Sequence, residues 1–220
     1  MAADDELLDR LRLLDTASLS DANKALHVLP ATIRPLVPGL KMAGRAVTAN
    51  ANDDLMSVIG ALQIAGTGDV LVVAAGVKDQ AVSGELFGTE AFRRGLAGVV
   101  IDGMSRDSAA LRLLGLPFYS RGVTPKAPPA VKVPEFQIPV MIGDVEVRPG
   151  DLVVGDDDGI IVGSVADFAA IVDTADAIQT REKALRIAIE KGASLFDAMN
   201  FTEHADNLRA GKESKLAFEG

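Results

Sequence analysis

Two short, uninterrupted apolar runs constrain the fold of this chain more than any other feature. Residues 70–74 and 98–101 are apolar throughout, and a helical stretch that Gly95 ends lies between them. Runs of this length without alternation are typical of strands buried on both faces. A third strand is expected at 118–120. Strands separated by helices imply right-handed crossovers and a partly parallel sheet, so the predicted fold class is α/β.

The flanking regions predict further helices and hairpins around this sheet. Helices are expected over 4–14, from 18 or 20 to about 27, from 52 or 53 to 64, from 76 to about 94, over 106–114 and from 164 to about 192. A strand is expected over 43–49. Short apolar runs separated by Pro and Gly over 127–162 suggest β-hairpins. Ser164 and Asp167 resemble a capping box at the start of the last helix.

These elements predict one domain spanning 1–220. Its core would be a mixed, partly parallel sheet over about 33–162, flanked by helices, and residues 164–210 would form a C-terminal helical extension. A chain of 220 residues can bury a substantial single core.

Composition excludes several classes of function. The net charge of −9 disfavours nucleic acid and anionic membranes as partners, and a local cation would be needed to bind an anionic substrate. The absence of cysteine excludes disulfides, thiol nucleophiles and thiolate metal sites. No apolar run is long enough to span a bilayer, and the N-terminus lacks a signal-peptide layout. A cytoplasmic location is therefore expected.

The candidate site follows two of the buried strands. Ligand sites in α/β sheets form at the carboxyl ends of neighbouring parallel strands. The loop at 76–79 and the helix after it carry Glu85, and the loop at 102–107 carries Arg106 and Asp107. If these strands are adjacent, two carboxylates and a guanidinium meet, and carboxylates bind hard cations such as Mg²⁺. The alternatives are an Asp107 that merely caps a helix, a surface Arg106 and a solvated Glu85.

Other polar groups are weaker candidates. The contiguous acids Asp156 to Asp158 before Gly159 favour a β-turn, because a calcium loop alternates its acids. The adjacent acids at 53–54 suggest a helix cap. His27 and His204 lack metal-ligand spacing, and residues 121 and 126 are basic groups for the mouth of the crevice.

Several segments together resemble a known family. They are IRPLVPGLKMAGRAVTAN, GDVLVVAAG, SGELFGTEAFRRGLAGVVIDGMSRD, LRLLGLPFYSRGVTPKAPP and GDVEVRPGDLVVGDDDGIIV. In this order they are similar to the family that joins 4-hydroxy-4-methyl-2-oxoglutarate aldolases to the regulator of ribonuclease activity A. The resemblance covers about 33–162.

The resemblance assigns roles to the candidate residues. The aldolase signature is an acid, twenty residues and then Arg-Asp, and here Glu85 precedes Arg106 and Asp107 by that spacing. The acid is usually Asp, so Glu85 is a departure. By position, Asp107 would bind Mg²⁺ or Mn²⁺ directly, Glu85 would hold a metal-bound water, and Arg106 would bind the pyruvyl oxygens and stabilise the enolate.

The family also implies a substrate cradle and a contribution from a second subunit. The N–H groups of Leu86 and Phe87, beside Gly84, would hold the substrate carboxylate at a helix start. Members form trimers, sometimes paired into hexamers, and a neighbouring subunit donates a further catalytic acid. Glu182 is the candidate for that acid, since it lies at helical spacing within an apolar stripe that comprises Ile171, Ala175, Ile178, Leu185 and Ile189.

A structural role for Glu182 is equally open. It would be a glutamate at the helix edge or the partner of Lys183 or Arg186.

The function that the resemblance implies is a class II aldolase. It would cleave 4-hydroxy-4-methyl-2-oxoglutarate or a related 4-hydroxy-2-oxo acid to pyruvate, with oxaloacetate decarboxylation through the same enolate. The alternatives are a dedicated oxaloacetate decarboxylase and a non-enzymatic regulator that binds a ribonuclease.

Overall fold

A ten-stranded mixed sheet forms the centre of the computed structural model, which describes the backbone of residues 2–218 and the side chains of 5–218. The strands are β1 (His27–Val28), β2 (Arg34–Pro35), β3 (Met42–Asn50), β4 (Asp69–Ala74), β5 (Ala81–Ser83), β6 (Gly98–Ser105), β7 (Phe118–Val123), β8 (Glu135–Phe136), β9 (Val140–Ile142), β10 (Val145–Val147), β11 (Leu152–Gly155) and β12 (Ile160–Gly163). The helices are α1 (Ala2–Leu11), α2 (Thr16–Ala22), α3 (Met56–Ile64), α4 (Glu85–Arg93), α5 (Ser108–Leu113), α6 (Val165–Glu190) and α7 (Phe201–Arg209), with a 3₁₀ helix at Leu195–Ala198.

The sheet has a parallel centre and antiparallel flanks. Its order is β1-β12-β11-β3-β4-β6-β7-β2, with β5 added beside β6 and β8 beside β3, while β9 and β10 form a separate hairpin. The pairs β3–β4, β4–β6, β6–β7 and β5–β6 are parallel. The predicted α/β class and its mixed, partly parallel sheet are confirmed.

The central strands are buried on both faces, as their unbroken apolar runs predict. In β4, Leu71 and Val73 belong to one buried apolar cluster, which also includes side chains from α3, α4 and α5. Val70 and Val72 belong to a second cluster, with residues of β9 to β12. Burial of each such side chain contributes roughly 1.5–3 kcal/mol.

The predicted helix starts near the N-terminus need correction. Helix α2 begins at Thr16, because the Asp15 carboxylate accepts a hydrogen bond from the N–H of Ser18. It ends at Ala22, and His27 lies in strand β1.

The predicted start of α3 at 52 or 53 is also wrong. Asn52 and Asp53 have left-handed backbone conformations, with φ of 47° and 61°, and α3 begins at Met56. Neither acid of the 53–54 pair is the N-cap of α3, because that position is Leu55, although the Asp54 carboxylate accepts the N–H of Met56. Burial raises the pKa of Asp54, but the N–H groups of Met56, Val131 and Lys132 and the charge of Lys132 outweigh this and hold its pKa below 3.8.

The Asp156–Asp158 acids form the β-turn that the sequence predicts. The N–H of Asp156 donates to the carbonyl of Gly159, which closes the turn between β11 and β12. The buried Asp156 carboxylate accepts both the N–H and the hydroxyl of Thr16, at 2.8 and 2.7 Å. Asp156 therefore connects the β11–β12 turn to the start of α2.

The chain divides into two compact units, residues 1–172 and 173–220, with the boundary inside α6. Helix α6 begins with the expected capping box, in which the N–H of Ser164 donates to Asp167 and the N–H of Asp167 donates to the Ser164 hydroxyl. In the second unit, Asn200 holds the segment after α7 by accepting the N–H of Ala217. The single-domain interpretation stays a prediction. None of the helices within 2–218 is both long and apolar enough to cross a membrane.

Candidate active site

Strand β6 is longer than its sequence suggests, and this positions the candidate site. Asp102 and Gly103 look like a turn, but they form an irregularity in the β6–β7 pairing, and the strand continues to Ser105. The extension lies beside β5, with Ala81 opposite Met104 and Ser83 opposite Ser105. The prediction of one helix from 76 to 94 is therefore wrong, because β5 precedes α4.

The two strand-end loops meet at this point. The N–H of Arg106 donates to the carbonyl of Ser83, with 3.0 Å between nitrogen and oxygen. The N–H of Glu85 donates to Oδ2 of Asp107 at 3.1 Å, and Nε of Arg106 lies 3.5 Å from the same oxygen. The structure thus brings the side chains of Arg106 and Asp107 together with the backbone of Glu85, which is exposed.

Gly84 makes this close approach possible. A Cβ atom built on Gly84 would lie 2.5 Å from Oδ2 of Asp107 and 2.7 Å from Cγ of Arg106. Real Cβ atoms essentially never come so close to a neighbour. A side chain at position 84 would therefore displace Asp107 or Arg106.

The Asp107 side chain is turned away from its own helix. Asp107 precedes α5 with φ 57° and ψ 36°, and its side chain makes no capping hydrogen bond to that helix. Aspartate tolerates this left-handed conformation better than most residues, but the conformation still carries strain that often accompanies function. Asp107 thus occupies the N-cap position of α5, as the alternative expects, but its carboxylate accepts the N–H of Glu85 and does not cap α5.

The start of α4 offers unpaired donors beside Asp107. The first N–H groups of a helix have no acceptor within it. The N–H of Glu85 is taken by Asp107, and the first bond inside the helix runs from Gly88 to the carbonyl of Gly84. The N–H groups of Leu86 and Phe87 thus lack acceptors inside α4, and the helix dipole favours an anion at that end.

The rest of α4 is stabilised by a cluster of charges. Glu90 accepts hydrogen bonds from Arg93 and Arg94, which lower the pKa of Glu90 to about 2. The cluster keeps a carboxylate and two guanidinium groups paired on the helix surface.

An open pocket of about 310 Å³ lies beside Arg106 and Asp107. The side chains of Arg106 and Asp107 are both 42% exposed. The N–H of Thr124 donates to the carbonyl of Ser105, which places the segment after β7 along the end of β6. The pocket is lined by Arg106, Asp107, Ser108, Val123, Thr124 and Pro125.

Comparison with known proteins identifies the family of the chain that carries this site. The family model "RraA-like: Aldolase/RraA" matches residues 16–162. The chain belongs to the RraA-like family.

Individual relatives agree with this assignment. A protein of Halalkalibacterium halodurans, which carries 4-hydroxy-4-methyl-2-oxoglutarate aldolase as a provisional name, is 33% identical over 85% of this chain and 90% of its own length. An uncharacterized protein of Pseudomonas syringae is similar in structure, with a TM-score of 0.77, 30% identity and coverage of 88% of this chain and 92% of that one. RraAS2 of Streptomyces coelicolor, described as an unusual member of the RNase ES inhibitor RraA family, has a TM-score of 0.73 and 31% identity, covering 83% of this chain and 98% of that one.

The donors of this RraA-like site suit a cation that keeps much of its water. No group of three or more His, Asp or Glu side chains with metal-binding geometry occurs within the described side chains. A structural zinc site needs four protein ligands and a calcium site six to eight oxygens, whereas Mg²⁺ is often held by one or two carboxylates with waters and substrate oxygens. Asp107, with Glu85 nearby, fits that last donor set, and both ligand roles stay predictions.

The basic residues expected at the mouth of the crevice lie outside this lining. Arg121 forms an ion pair with Asp102 and donates to the hydroxyl of Thr32. Lys126 has an exposed side chain, and its carbonyl accepts the N–H of Ala81.

Glu182 lies on the part of α6 that belongs to the second unit, and its side chain is exposed. Arg186, one of its expected partners, forms an ion pair with Glu190 instead. No ion pair of the described side chains includes Glu182. Its catalytic role in a neighbouring subunit stays a prediction.

The sequence alone does not identify two buried hydroxyl groups beside the site. The Oγ atoms of Ser83 and Ser105 are buried without a hydrogen-bond partner within the described chain. These residues immediately precede Gly84 and Arg106. Serine is so common on strands and in loops that only the strand pairing reveals the position of this pair.

Proposed function

We propose that this RraA-like protein is a divalent-metal-dependent carbon–carbon lyase. Its reaction would be the retro-aldol cleavage of 4-hydroxy-4-methyl-2-oxoglutarate, or of a related 4-hydroxy-2-oxo acid, to pyruvate. The observation that carries the proposal is the contact of the Asp107 carboxylate with the N–H of Glu85 and with Arg106, beside an open pocket. The aldolase name of relatives supports the same reaction class.

Binding of the substrate head follows from the chain's own donors. The N–H groups of Leu86 and Phe87 hold the carboxylate of the 2-oxo acid at the start of α4. Gly84 leaves room for the substrate carboxylate, because it has no side chain that would displace Asp107 or Arg106.

The charge that develops during cleavage is met by Arg106. A base accepts the proton of the 4-hydroxyl, whose oxygen becomes the carbonyl oxygen of the leaving fragment as the C3–C4 bond breaks. The electron pair of that bond forms an enolate on the pyruvyl fragment, and a proton added at C3 then gives pyruvate. The Arg106 guanidinium stabilises the enolate oxygen, and preorganised donors of this kind are worth roughly 10²–10³ in rate. Asp107 would hold a Mg²⁺ or Mn²⁺ ion, and Glu85 would act on it through a water. When bound, this ion supplies Lewis-acid polarisation of the 2-oxo acid.

A second subunit completes the proposed site. Glu182 of the partner subunit acts as the additional catalytic acid in a homotrimer or hexamer. This assignment is supported by the exposure of Glu182 and its lack of an ion pair among the described side chains.

Decarboxylation of oxaloacetate is expected as a further activity. Loss of CO₂ from oxaloacetate leaves the same pyruvate enolate, so the same carboxylate cradle and the same guanidinium stabilise it.

A pyruvate-release assay tests the proposal. The purified protein is given 4-hydroxy-4-methyl-2-oxoglutarate or oxaloacetate with added Mg²⁺, and pyruvate is followed through lactate dehydrogenase and NADH. We expect release that a chelator abolishes and Mg²⁺ restores. Release that a chelator leaves unchanged would contradict the metal-dependent mechanism, and the ratio of the two rates decides between aldolase and dedicated decarboxylase.

A ribonuclease-binding regulator is the second candidate. The likeness to the Streptomyces coelicolor RNase ES inhibitor family favours it. It requires no metal and no pyruvate release, so the same assay separates the two functions.

A further inference from the structure

Buried polar atoms without a hydrogen-bond partner are concentrated where β5 lies beside the end of β6. Among the described residues, four buried side-chain oxygens lack a partner: Oε1 of Gln80 and the Oγ atoms of Ser18, Ser83 and Ser105. Gln80 immediately precedes β5, Ser83 is the last residue of β5 and Ser105 is the last residue of β6. Three of the four therefore adjoin the loops that carry the candidate site, and Ser18 lies apart from them in α2.

The two strand-end serines are buried so completely that a neighbouring subunit does not supply the missing partner. Ser83 is 3% exposed and Ser105 is 0% exposed in the single chain. Assembly into an oligomer can only bury such side chains further. A partner for either hydroxyl must therefore be another group of the same chain.

Each of these serines is positioned to become the partner of the other. Ser83 lies opposite Ser105 in the parallel pairing of β5 with β6. Opposite residues on adjacent strands have Cβ atoms about 5 Å apart, so a change of rotamer can bring two hydroxyls within hydrogen-bond distance. The pairing is irregular at this point, because its register shifts between Ala81 and Ser83. Irregularities of this kind occur next to active sites and change the direction of side chains.

The backbones of the same two serines hold the groups assigned to the reaction. The carbonyl of Ser83 accepts the N–H of Arg106 at 3.0 Å, so the end of β5 is bonded to the residue that follows β6. Gly84, the residue after Ser83, is the point at which the Asp107 carboxylate approaches closely. A change in how Ser83 lies against Ser105 therefore moves the groups that bind the 2-oxo acid.

We propose that Ser83 and Ser105 are positioning residues whose hydroxyls bond to each other when the substrate is bound. The inference rests on the proposed aldolase function, in which the substrate carboxylate binds N–H groups at the start of α4. An anion at those N–H groups pulls on the segment that follows Ser83, and the resulting shift of β5 against β6 lets one hydroxyl donate to the other. An unpaired buried hydroxyl is unfavourable, so the bond gained in the bound state adds to the affinity for the substrate and the transition state.

Alanine variants of the two serines test the inference through stability and activity together. Ser83→Ala and Ser105→Ala each remove an unpaired hydroxyl, so each should raise the thermal unfolding midpoint of the ligand-free protein by roughly 2–4 °C. Each should also lower kcat/KM for pyruvate release by about tenfold, because the hydrogen bond of the bound state is lost. A purely structural role for either serine predicts the opposite combination, in which stability and activity fall together.

The double variant Ser83→Ala/Ser105→Ala shows whether the two hydroxyls act as a pair. In the ligand-free protein each hydroxyl is unpaired by itself, so the two increases in unfolding midpoint should add. In the bound state the two hydroxyls share one hydrogen bond, so the double variant should lose no more activity than either single variant. Activity losses that multiply, a wild-type kcat/KM in either single variant, or a lowered unfolding midpoint would each overturn the inference.

Ser18→Ala is the matched control, because it removes the same kind of buried, unpaired hydroxyl from α2. It should raise the unfolding midpoint by a similar amount and leave kcat/KM unchanged. A tenfold loss of activity in Ser18→Ala would overturn the inference, since such a loss would not depend on the β5–β6 pair. No pyruvate release from the wild type would overturn the proposed function and the inference together, whereas wild-type activity in all the variants would overturn the inference alone.

Discussion

Oδ2 of Asp107 lies 3.1 Å from the backbone nitrogen of Glu85, so one carboxylate at the end of β6 is hydrogen bonded to the first residue of α4. The two residues are 22 positions apart in sequence, and strand β5 brings them together by pairing with β6. The contact fixes the orientation of the carboxylate and directs it toward the start of a helix. Such preorganisation is what a metal or substrate anion site requires.

Gly84→Ala is expected to abolish most activity while the fold persists. The added Cβ would lie 2.5 Å from Oδ2 of Asp107, so Asp107 and Arg106 must move. A displacement of about 1 Å at a catalytic group costs roughly 10²-fold in rate. The measurement is kcat/KM for pyruvate release together with the thermal unfolding midpoint. Gly159→Ala is the matched control, since nothing lies within 4 Å of its Cβ position, and full activity in Gly84→Ala would contradict the assigned geometry.

Arg106→Gln is expected to lower kcat by about 10²–10³, because the developing enolate loses a positive charge. The side chain of Arg106 is 42% exposed, so unfolding free energy should change by less than about 0.5 kcal/mol. Arg112→Gln removes the same charge from the exposed side of α5 and should leave kcat unchanged. Similar kinetics for the two variants would show that Arg106 does not meet the reacting atoms.

Glu182 provides a test of sites shared between subunits. Glu182→Gln and Asp107→Ala should each be inactive alone, because each removes one half of every site. Mixed oligomers made by co-expression should regain activity, since some sites then combine an intact Asp107 with an intact Glu182 of the partner subunit. Glu190→Gln, on the same helix, should be active by itself. Mixed oligomers as inactive as either parent would contradict the shared site.

Acid stability should depend on Asp54. Its pKa is lower in the folded protein than the ordinary 3.8, so its carboxylate contributes stability above pH 3.8 that is lost as the pH falls through the folded pKa. The free energy of unfolding of the wild type should therefore decrease more steeply than that of Asp54→Asn between about pH 5 and pH 2. Urea unfolding at several pH values measures this difference. Parallel pH profiles would show that Asp54 is not the group responsible.

The sequence predicts the parallel centre of the sheet because its strands are unbroken apolar runs that only burial on both faces explains. It also predicts the Ser164–Asp167 capping box, since that signal is local. Strand β5 was not predictable, because its three residues, Ala81–Ser83, carry too little periodicity to distinguish a strand from the start of α4. The extension of β6 through Asp102 and Gly103 was not predictable either. An Asp-Gly dipeptide usually marks a turn, but here it forms an irregularity within the β6–β7 pairing.

The residues of the candidate site were predictable from the sequence, but their geometry was not. The spacing of Glu85 and Arg106-Asp107 identifies the residues that meet. The left-handed conformation of Asp107 and the absence of room for a side chain at Gly84 arise from tertiary contacts that no local pattern encodes.

Binding of Mn²⁺ to the wild type and to Asp107→Ala, measured by electron paramagnetic resonance of the free ion, tests the metal assignment most directly. We expect one Mn²⁺ site per chain in the wild type, displaced by Mg²⁺ and lost in Asp107→Ala, with Asp144→Ala as a surface control that binds normally. Equal binding by wild type and Asp107→Ala would contradict it.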